Sequence, residues 1–177
     1  MARIIFIYGL VAGLIIIAGI IGTIVLAGDQ PHGNVWLGYL IMLLGMSAVF
    51  MGVKRYRDRE RGGVIRFLPA LGVGLAIALV ASLAYVLVWE VYLAMTDHAF
   101  MDQYITATLE ARRAEGLSGE AYRKLEASYR EMALAYQSPL YRLPMTFVEI
   151  FPVGLLVSVV SAILLRNSRF LPARARA

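Results

Sequence analysis

Four long apolar stretches constrain the fold of this chain more than any other feature. They cover residues 4–27, 35–53, 67–95 and 145–165, which are 24, 19, 29 and 21 residues long. An α-helix rises about 1.5 Å per residue, so about 20 residues cross the roughly 30 Å hydrocarbon core of a bilayer. Glu90 and Glu149 are the charged residues inside these stretches. The sequence therefore predicts an all-α polytopic membrane protein with four transmembrane helices, forming a single membrane domain over residues 1–177.

The composition narrows the classes of function. Hydrophobic residues make up 60% of the chain and charged residues 16%, whereas about a quarter of the residues in soluble domains are charged. The absence of cysteine excludes disulfides, thiol catalysis and thiolate metal ligands. No His-Glu-x-x-His, Gly-x-Ser-x-Gly or phosphate-binding glycine motif occurs. We therefore expect a protein that is not an enzyme and has no cofactor. Four helices alone cannot enclose a wide pore, so conduction would require several copies of the chain. A homo-oligomer is therefore one of the alternatives.

The charges outside the apolar stretches are sorted by sign. With the amino terminus in the cytoplasm, the cytoplasmic segments hold eleven Lys and Arg residues against two acids. The outer segments hold six basic residues against eight acids. Short loops rich in Lys and Arg stay cytoplasmic, so both termini are predicted inside, including a disordered basic tail over residues 166–177. The predicted contacts with anionic head groups of the lipid bilayer, rather than with nucleic acid, are Lys54, Arg55, Arg57 and Arg59.

Two tryptophans lie on the side assigned as outer. Trp36 opens the second apolar stretch and Trp89 lies near the end of the third. Indole rings prefer the head-group level, because they combine an apolar body with one N–H donor. The sequence therefore predicts that Trp36 and Trp89 are interfacial anchors.

Small residues recur four apart in the first stretch, as Gly9-xxx-Gly13 and Ala18-xxx-Gly22. This spacing lets a neighbouring helix backbone approach closely. We expect the stripe to pack against the protein's own helices rather than to form a dedicated dimer face. The stretch is longer than the 7–15 apolar residues of a signal peptide, so a retained helix is expected.

The outer segment over residues 96–144 has the pattern of an extracytoplasmic helical hairpin. One apolar stripe, through Met101, Ile105 and Leu109, ends before a glycine at position 116. A second stripe begins after Ser118, a plausible N-cap, and follows helical spacing; its members are Tyr122, Leu125, Tyr129, Met132 and Tyr136. The stripes either pack on each other and on the membrane domain or form a docking surface for a partner protein.

Glu90 and Glu149 are the candidate functional acids, because ionisable groups inside transmembrane helices are costly and often functional. Both are predicted near the same depth in the outer leaflet, where they could share a proton or bind a cation. The structural alternatives are that Glu90 reaches head groups, that Glu149 forms a capping box with Thr146, and that Arg142 neutralises one of them. Pro152 removes a backbone hydrogen bond from the same helix, so a kink is predicted at Pro152 and Gly154.

Several segments resemble the uncharacterised bacterial membrane family named domain of unknown function 4199. They are Leu37-Gly38-Tyr39-Leu40-Ile41-Met42, Gly52-Val53-Lys54-Arg55-Tyr56-Arg57-Asp58, Gly62-Gly63-Val64-Ile65, Ser138-Pro139-Leu140 and Thr146-Phe147-Val148-Glu149-Ile150-Phe151-Pro152-Val153-Gly154. The resemblance spans essentially the whole chain. It implies four membrane helices in the bacterial inner membrane, with an extracytoplasmic helical insert between the third and fourth, and it implies no activity.

Three classes of function remain at this point. The first is a non-enzymatic scaffold or accessory protein that binds a partner protein or lipid through the outer hairpin and the small-residue helix faces. The second is a small ion- or proton-coupled transporter that uses Glu90 and Glu149. The third is a membrane-embedded enzyme acting on lipid, with a metal held by His32, Glu90, His98 and Glu149. We favour the first class, because no catalytic motif supports the third and the two acids have structural explanations.

Overall fold

The computed structural model describes residues 1–27 and 35–173, and these residues form six α-helices and no strand. The helices are α1 (Ala2–Ala27), α2 (Val35–Glu60), α3 (Phe67–Met95), α4 (Ala99–Ala114), α5 (Gly119–Gln137) and α6 (Pro139–Leu165). Four of them, α1, α2, α3 and α6, are long and apolar enough to cross a membrane. The predicted all-α class with four candidate spans is confirmed.

Two of the long helices, α2 and α6, extend by more than one turn beyond the apolar stretches that predict them. α2 continues past Val53 through the basic residues to Glu60, because Lys, Arg and Glu are good helix formers. The chain then turns at Gly62 and Gly63, whose φ angles of 61° and 86° lie in the left-handed region. α6 begins at Pro139 rather than near residue 145, with the proline at the first helical position, where its missing N–H costs nothing.

The four long helices form a bundle in which α1 and α6 each pack against both α2 and α3. Glycines allow close approach between α1 and α3: a Cβ on Gly9 would lie 2.6 Å from the Val80 Cβ, and one on Gly13 would lie 3.0 Å from the Ala81 carbonyl oxygen. The expectation that this stripe packs on the protein's own helices is confirmed for these two glycines. A Cβ on Gly22 would meet nothing within 4 Å.

The outer surface of the bundle carries many large apolar side chains. Large side chains such as Leu14, Leu44, Leu87 and Leu156 are 59 to 66% exposed. Such a continuous apolar surface is unfavourable in water but is the normal surface of helices in lipid. The long helices are therefore apolar both on the faces that pack inside the bundle and on the faces that would contact lipid.

The helices α4 and α5, which we call the insert, lie side by side between the third and fourth spans. Ile105 and Leu109 of α4 are buried, and the turn after α4 passes through Gly116, whose φ is 93°. Tyr122 and Tyr129 of α5 are half-buried. The predicted two-helix organisation is therefore present. Ser118 occupies the N-cap position of α5, but its hydroxyl makes no capping hydrogen bond.

Candidate functional site

The junction between the insert and the bundle is built around two charged residues, Arg142 on α6 and Glu90 on α3. The Nε of Arg142 donates to Oε1 of Glu90 at 2.7 Å, and Nη2 donates to Oε2 at 2.6 Å. Two parallel N–H···O bonds of this kind match the planar guanidinium to the carboxylate and fix their relative orientation. Arg142 is only 4% exposed. The ion pair thus joins two membrane-spanning helices inside the protein.

The remaining nitrogen of Arg142 connects the pair to the insert. Its Nη1 donates to the carbonyl oxygens of Tyr136 and Gln137 at 3.0 and 3.4 Å, and these are the last residues of α5. The final carbonyls of a helix have no intrahelical partner and carry the negative end of the helix dipole, so a cation there is favourable. Arg142 therefore holds α3, α5 and α6 together. We call Trp89, Glu90, Tyr136, Arg142 and Thr146 the junction cluster.

Trp89 is the second connection between the bundle and the insert. Its Nε1 donates to the hydroxyl of Tyr136 at 2.9 Å, and its ring lies edge-on to Phe100 of α4 at 4.9 Å. Burial raises the pKa of the Tyr136 phenol above its ordinary value, which keeps the hydroxyl neutral. Because Trp89 is only 5% exposed, it is not the interfacial anchor that its position in the sequence predicts. Trp36, in contrast, is 81% exposed.

Glu149 does not join Glu90. Both oxygens of Glu90 bind Arg142, whereas no hydrogen bond or ion pair within residues 1–27 and 35–173 reaches Glu149. The Glu149 side chain is exposed on α6, within electrostatic range of the Tyr136 phenol. The interpretation in which Arg142 neutralises one of the two acids is confirmed for Glu90. The structure gives no support to a paired carboxylate site.

The capping-box interpretation of Glu149 is wrong. Thr146 lies inside α6, which begins at Pro139, and the Thr146 hydroxyl donates to the Arg142 carbonyl at 2.9 Å. The helix therefore offers no free N-terminal amide that Glu149 could accept from. Among the described residues, Glu149 is thus an acid without a hydrogen-bond or ion-pair partner in a helix long enough to span the membrane.

The Pro152–Gly154 region of α6 lies at a close contact between helices. α6 continues through Pro152, which has no N–H to donate to the Val148 carbonyl. A Cβ on Gly154 would lie 2.7 Å from the Ala78 Cβ and 3.2 Å from the Met46 Cε, so α6 approaches α2 and α3 closely there. The kink predicted for this region stays a prediction.

The described residues among those proposed for a metal site do not form a cluster of three ligands. His32 lies outside the described residues. His98 stands at the start of α4 with a left-handed φ of 57°, and Glu90 is engaged by Arg142. In the part of the chain that the structure describes, no three His, Cys, Asp or Glu side chains are grouped to hold a metal ion. The hypothesis of a metal-dependent enzyme gains no support from these residues.

At the opposite end of the bundle, Arg57 has a different role from the predicted head-group contact. It is fully buried, and its Nη1 and Nη2 donate to the carbonyl oxygens of Phe170 and Leu171 at 2.9 and 2.5 Å. Its Nε donates to Asp58 at 2.7 Å. A buried guanidinium with these partners cannot reach lipid, so the prediction for Arg57 was wrong. The reason is that α2 continues helically through the basic stretch and turns Arg57 towards the protein.

The same contacts correct the prediction of a disordered tail. The Phe170 ring packs edge-on against Phe50 of α2 with 6.4 Å between ring centroids. The chain after α6 is therefore folded back onto α2 as far as the structure describes it. Of the other predicted head-group contacts, Lys54 pairs with Asp58 at 2.5 Å, while Arg55 and Arg59 are exposed.

The four apolar spans, their apolar outer surface and the charged junction beneath a helical insert define a polytopic α-helical membrane protein. Residues 7–167 match the family described as "Protein of unknown function (DUF4199)", and the chain belongs to that family. The comparisons with curated proteins and with solved structures found no match.

Proposed function

We propose that this protein is a non-enzymatic scaffold of the bacterial inner membrane that presents the insert to a partner protein. In this arrangement both termini lie in the cytoplasm and the insert lies outside it. The observation that carries the proposal is the junction cluster, which fixes the insert to the bundle through Arg142 and Trp89. A preorganised surface binds with less loss of conformational freedom than a flexible one.

The insert also has an uncovered side. α5 has no fully buried residue, and Leu134 near its end is 68% exposed. Exposed apolar side chains on an otherwise polar helix favour contact with another protein. The proposal therefore assigns partner binding to the outward face of α5 and attachment to the junction cluster.

The topology can be tested directly because the chain has no cysteine. Single cysteines would be placed at Ser128 on α5 and at Arg59 on α2, both exposed. A membrane-impermeant maleimide added to spheroplasts should label Ser128→Cys, and should label Arg59→Cys only after permeabilisation. Labelling of both positions from the same side of the intact membrane would contradict the arrangement.

Partner binding can be tested with a photo-crosslinking amino acid at Leu134, and at Leu68 as the matched control. The two leucines are 68 and 74% exposed. Leu134 lies on the insert, and Leu68 lies in the first turn of α3, at the end of the bundle opposite the insert. The same protein partner should be crosslinked reproducibly from position 134 and not from position 68. Replacement of residues 96–138 by a short linker should abolish that adduct. If the bundle without the insert still retains the partner, the scaffold role of the insert is wrong. A self-crosslink would instead identify a homo-oligomer.

The second candidate function is proton-coupled transport through Glu149 alone. It rests on the position of this acid in a membrane-spanning helix without a hydrogen-bond or ion-pair partner among the described residues. Proton flux into proteoliposomes under an imposed potential should then be lost in Glu149→Gln and kept in Glu126→Gln, a half-buried acid of the insert that is paired with the exposed Arg130. Equal flux in both variants would remove this candidate.

A further inference from the structure

A groove of about 510 Å³ opens between α1 and α2 at the end of the bundle opposite the insert. Its polar side carries Arg3, Arg55 and Arg59, and its apolar side is formed by Ile4, Ile7 and Tyr8. We call it the basic groove. It combines the two kinds of surface, cationic and apolar, that an amphiphilic ligand would contact.

The charges of the basic groove are unbalanced. Glu60 also lines it, but its carboxylate is paired with the amino group of Met1 at 2.5 Å. Arg3, Arg55 and Arg59 are exposed, and no acid within the described ranges forms an ion pair with them. Guanidinium groups bind phosphate oxygens through planar, two-pronged hydrogen bonds. Three unpaired guanidiniums at one groove are therefore complementary to a phosphate group.

The position of the basic groove relative to the bilayer follows from the length of α1. The apolar span of α1 runs from its first turn to Ile24 and is 23 residues long, which is about the thickness of the hydrocarbon core. Ile4 and Ile7 therefore lie where the hydrocarbon begins, and Arg3 lies at the head-group level. Tyr8 closes the groove against α2, because a Cβ on Gly52 would lie 3.0 Å from its ring.

We propose that the basic groove binds one anionic phospholipid. Its phosphate lies between Arg3, Arg55 and Arg59, and the part of an acyl chain nearest the head group lies against Ile4 and Ile7. The apolar side favours a lipid over free inorganic phosphate, since Ile4, Ile7 and Tyr8 would stay uncovered by the ion. This site does not depend on the insert or on its partner. It goes beyond general attraction of basic residues to a membrane, because it assigns one lipid to a defined set of side chains.

The experiment is a titration of purified protein with phosphatidylglycerol, followed by native mass spectrometry, and with phosphatidylcholine for comparison. Wild type should retain one phosphatidylglycerol in preference to phosphatidylcholine. The triple variant Arg3→Gln, Arg55→Gln and Arg59→Gln should bind phosphatidylglycerol about a hundredfold more weakly, since each surface arginine contributes about a factor of five to anionic-lipid binding. Inorganic phosphate at millimolar concentration should not displace the lipid; displacement would overturn the assignment to a phospholipid.

The matched control removes three other exposed arginines from the same end of the bundle, namely Arg66, Arg166 and Arg169. Its affinity should stay within about a factor of three of wild type, since these arginines do not line the groove and only an arginine close to the bound lipid contributes about a factor of five. The control has the same net charge as the groove variant but an intact groove. Equal weakening in both triple variants would mean general charge attraction and would overturn the site. If the groove variant does not fold, a photoactivatable phosphatidylglycerol on wild type decides: adducts must map to residues 3–8 or 55–59, and adducts elsewhere refute the proposal.

Discussion

Replacing Glu90 by Gln should destabilise the protein through the charge that it leaves behind on Arg142. The guanidinium is 4% exposed and stays protonated, because an arginine cannot lose its proton in a protein. Breaking a buried ion pair costs about 3–5 kcal/mol. The Glu90 side chain is 26% exposed, so water screens part of this loss, and we expect about 2–4 kcal/mol. The measurement is reversible unfolding in mixed detergent micelles, followed by the change in helical circular dichroism.

The control for this variant is Glu126→Gln on the insert. Glu126 accepts a hydrogen bond from Arg130 at 2.7 Å, but the Arg130 side chain is 75% exposed. An exposed i,i+4 pair contributes about 0.3–0.5 kcal/mol, so the control should unfold almost as wild type does. Equal unfolding free energies for the Glu90 and Glu126 variants would refute the argument that the junction is held by a buried charge.

A double-mutant cycle measures the interaction free energy between Glu90 and Arg142 separately from their contacts with the rest of the protein. Arg142→Met removes the guanidinium and leaves Glu90 and the α5 carbonyls unpaired, so it should also destabilise. The double variant Glu90→Gln, Arg142→Met leaves no net charge, and its cost should fall short of the sum of the single variants by about 2 kcal/mol. Additive costs would mean that the two side chains act independently. Hydrogen exchange in α4 and α5 should accelerate in Arg142→Met, because Arg142 also binds the carboxyl end of α5.

Two further predictions concern packing within the bundle. Gly154→Val should lower the free energy of unfolding by about 1–3 kcal/mol through overpacking. Gly72→Val should change it little, because a Cβ at Gly72 would meet nothing within 4 Å. Similar thermal unfolding of the two variants in detergent would contradict this. Arg57→Gln should release the chain after α6, seen as faster proteolysis and hydrogen exchange over residues 166–173, while the exposed Arg59→Gln should leave both rates unchanged; protection that survives in Arg57→Gln would contradict the anchoring role.

The interior of each helix was predictable, while the helix ends were less so. Residues 67–95 were predicted and are found as α3, because a continuous apolar run is bounded on both sides by polar residues. The end of α2 differs, since Lys, Arg and Glu continue a helix as readily as they form a loop. The start of α6 differs because Pro139 is favourable at the first helical position, so the helix begins before its apolar stretch. Local hydroxyl bonds were also predictable: Ser82 and Ser158 donate to the backbone carbonyls four residues earlier.

The polar contacts of the candidate site could be predicted only in part. Arg142 was recognised as a partner for one of the acids, but Glu90 and Arg142 are 52 residues apart, and no local pattern selects Glu90 over Glu149. Trp89 and Tyr136 are 47 residues apart, so the hydrogen bond that removes Trp89 from the interface left no signal in the sequence around either residue.

The amino-acid sequence by itself determined the four spans, the helical insert and the family, because the length and polarity of a segment depend on neighbouring residues alone. The tertiary structure decided which charged residues are neutralised: Glu90 by Arg142, Asp58 by Arg57 and Lys54, and Glu149 by none of the described residues. Those pairings depend on how helices distant in sequence are rotated against each other. Rotation is set by close packing at residues such as Gly9 and by the reach of individual side chains.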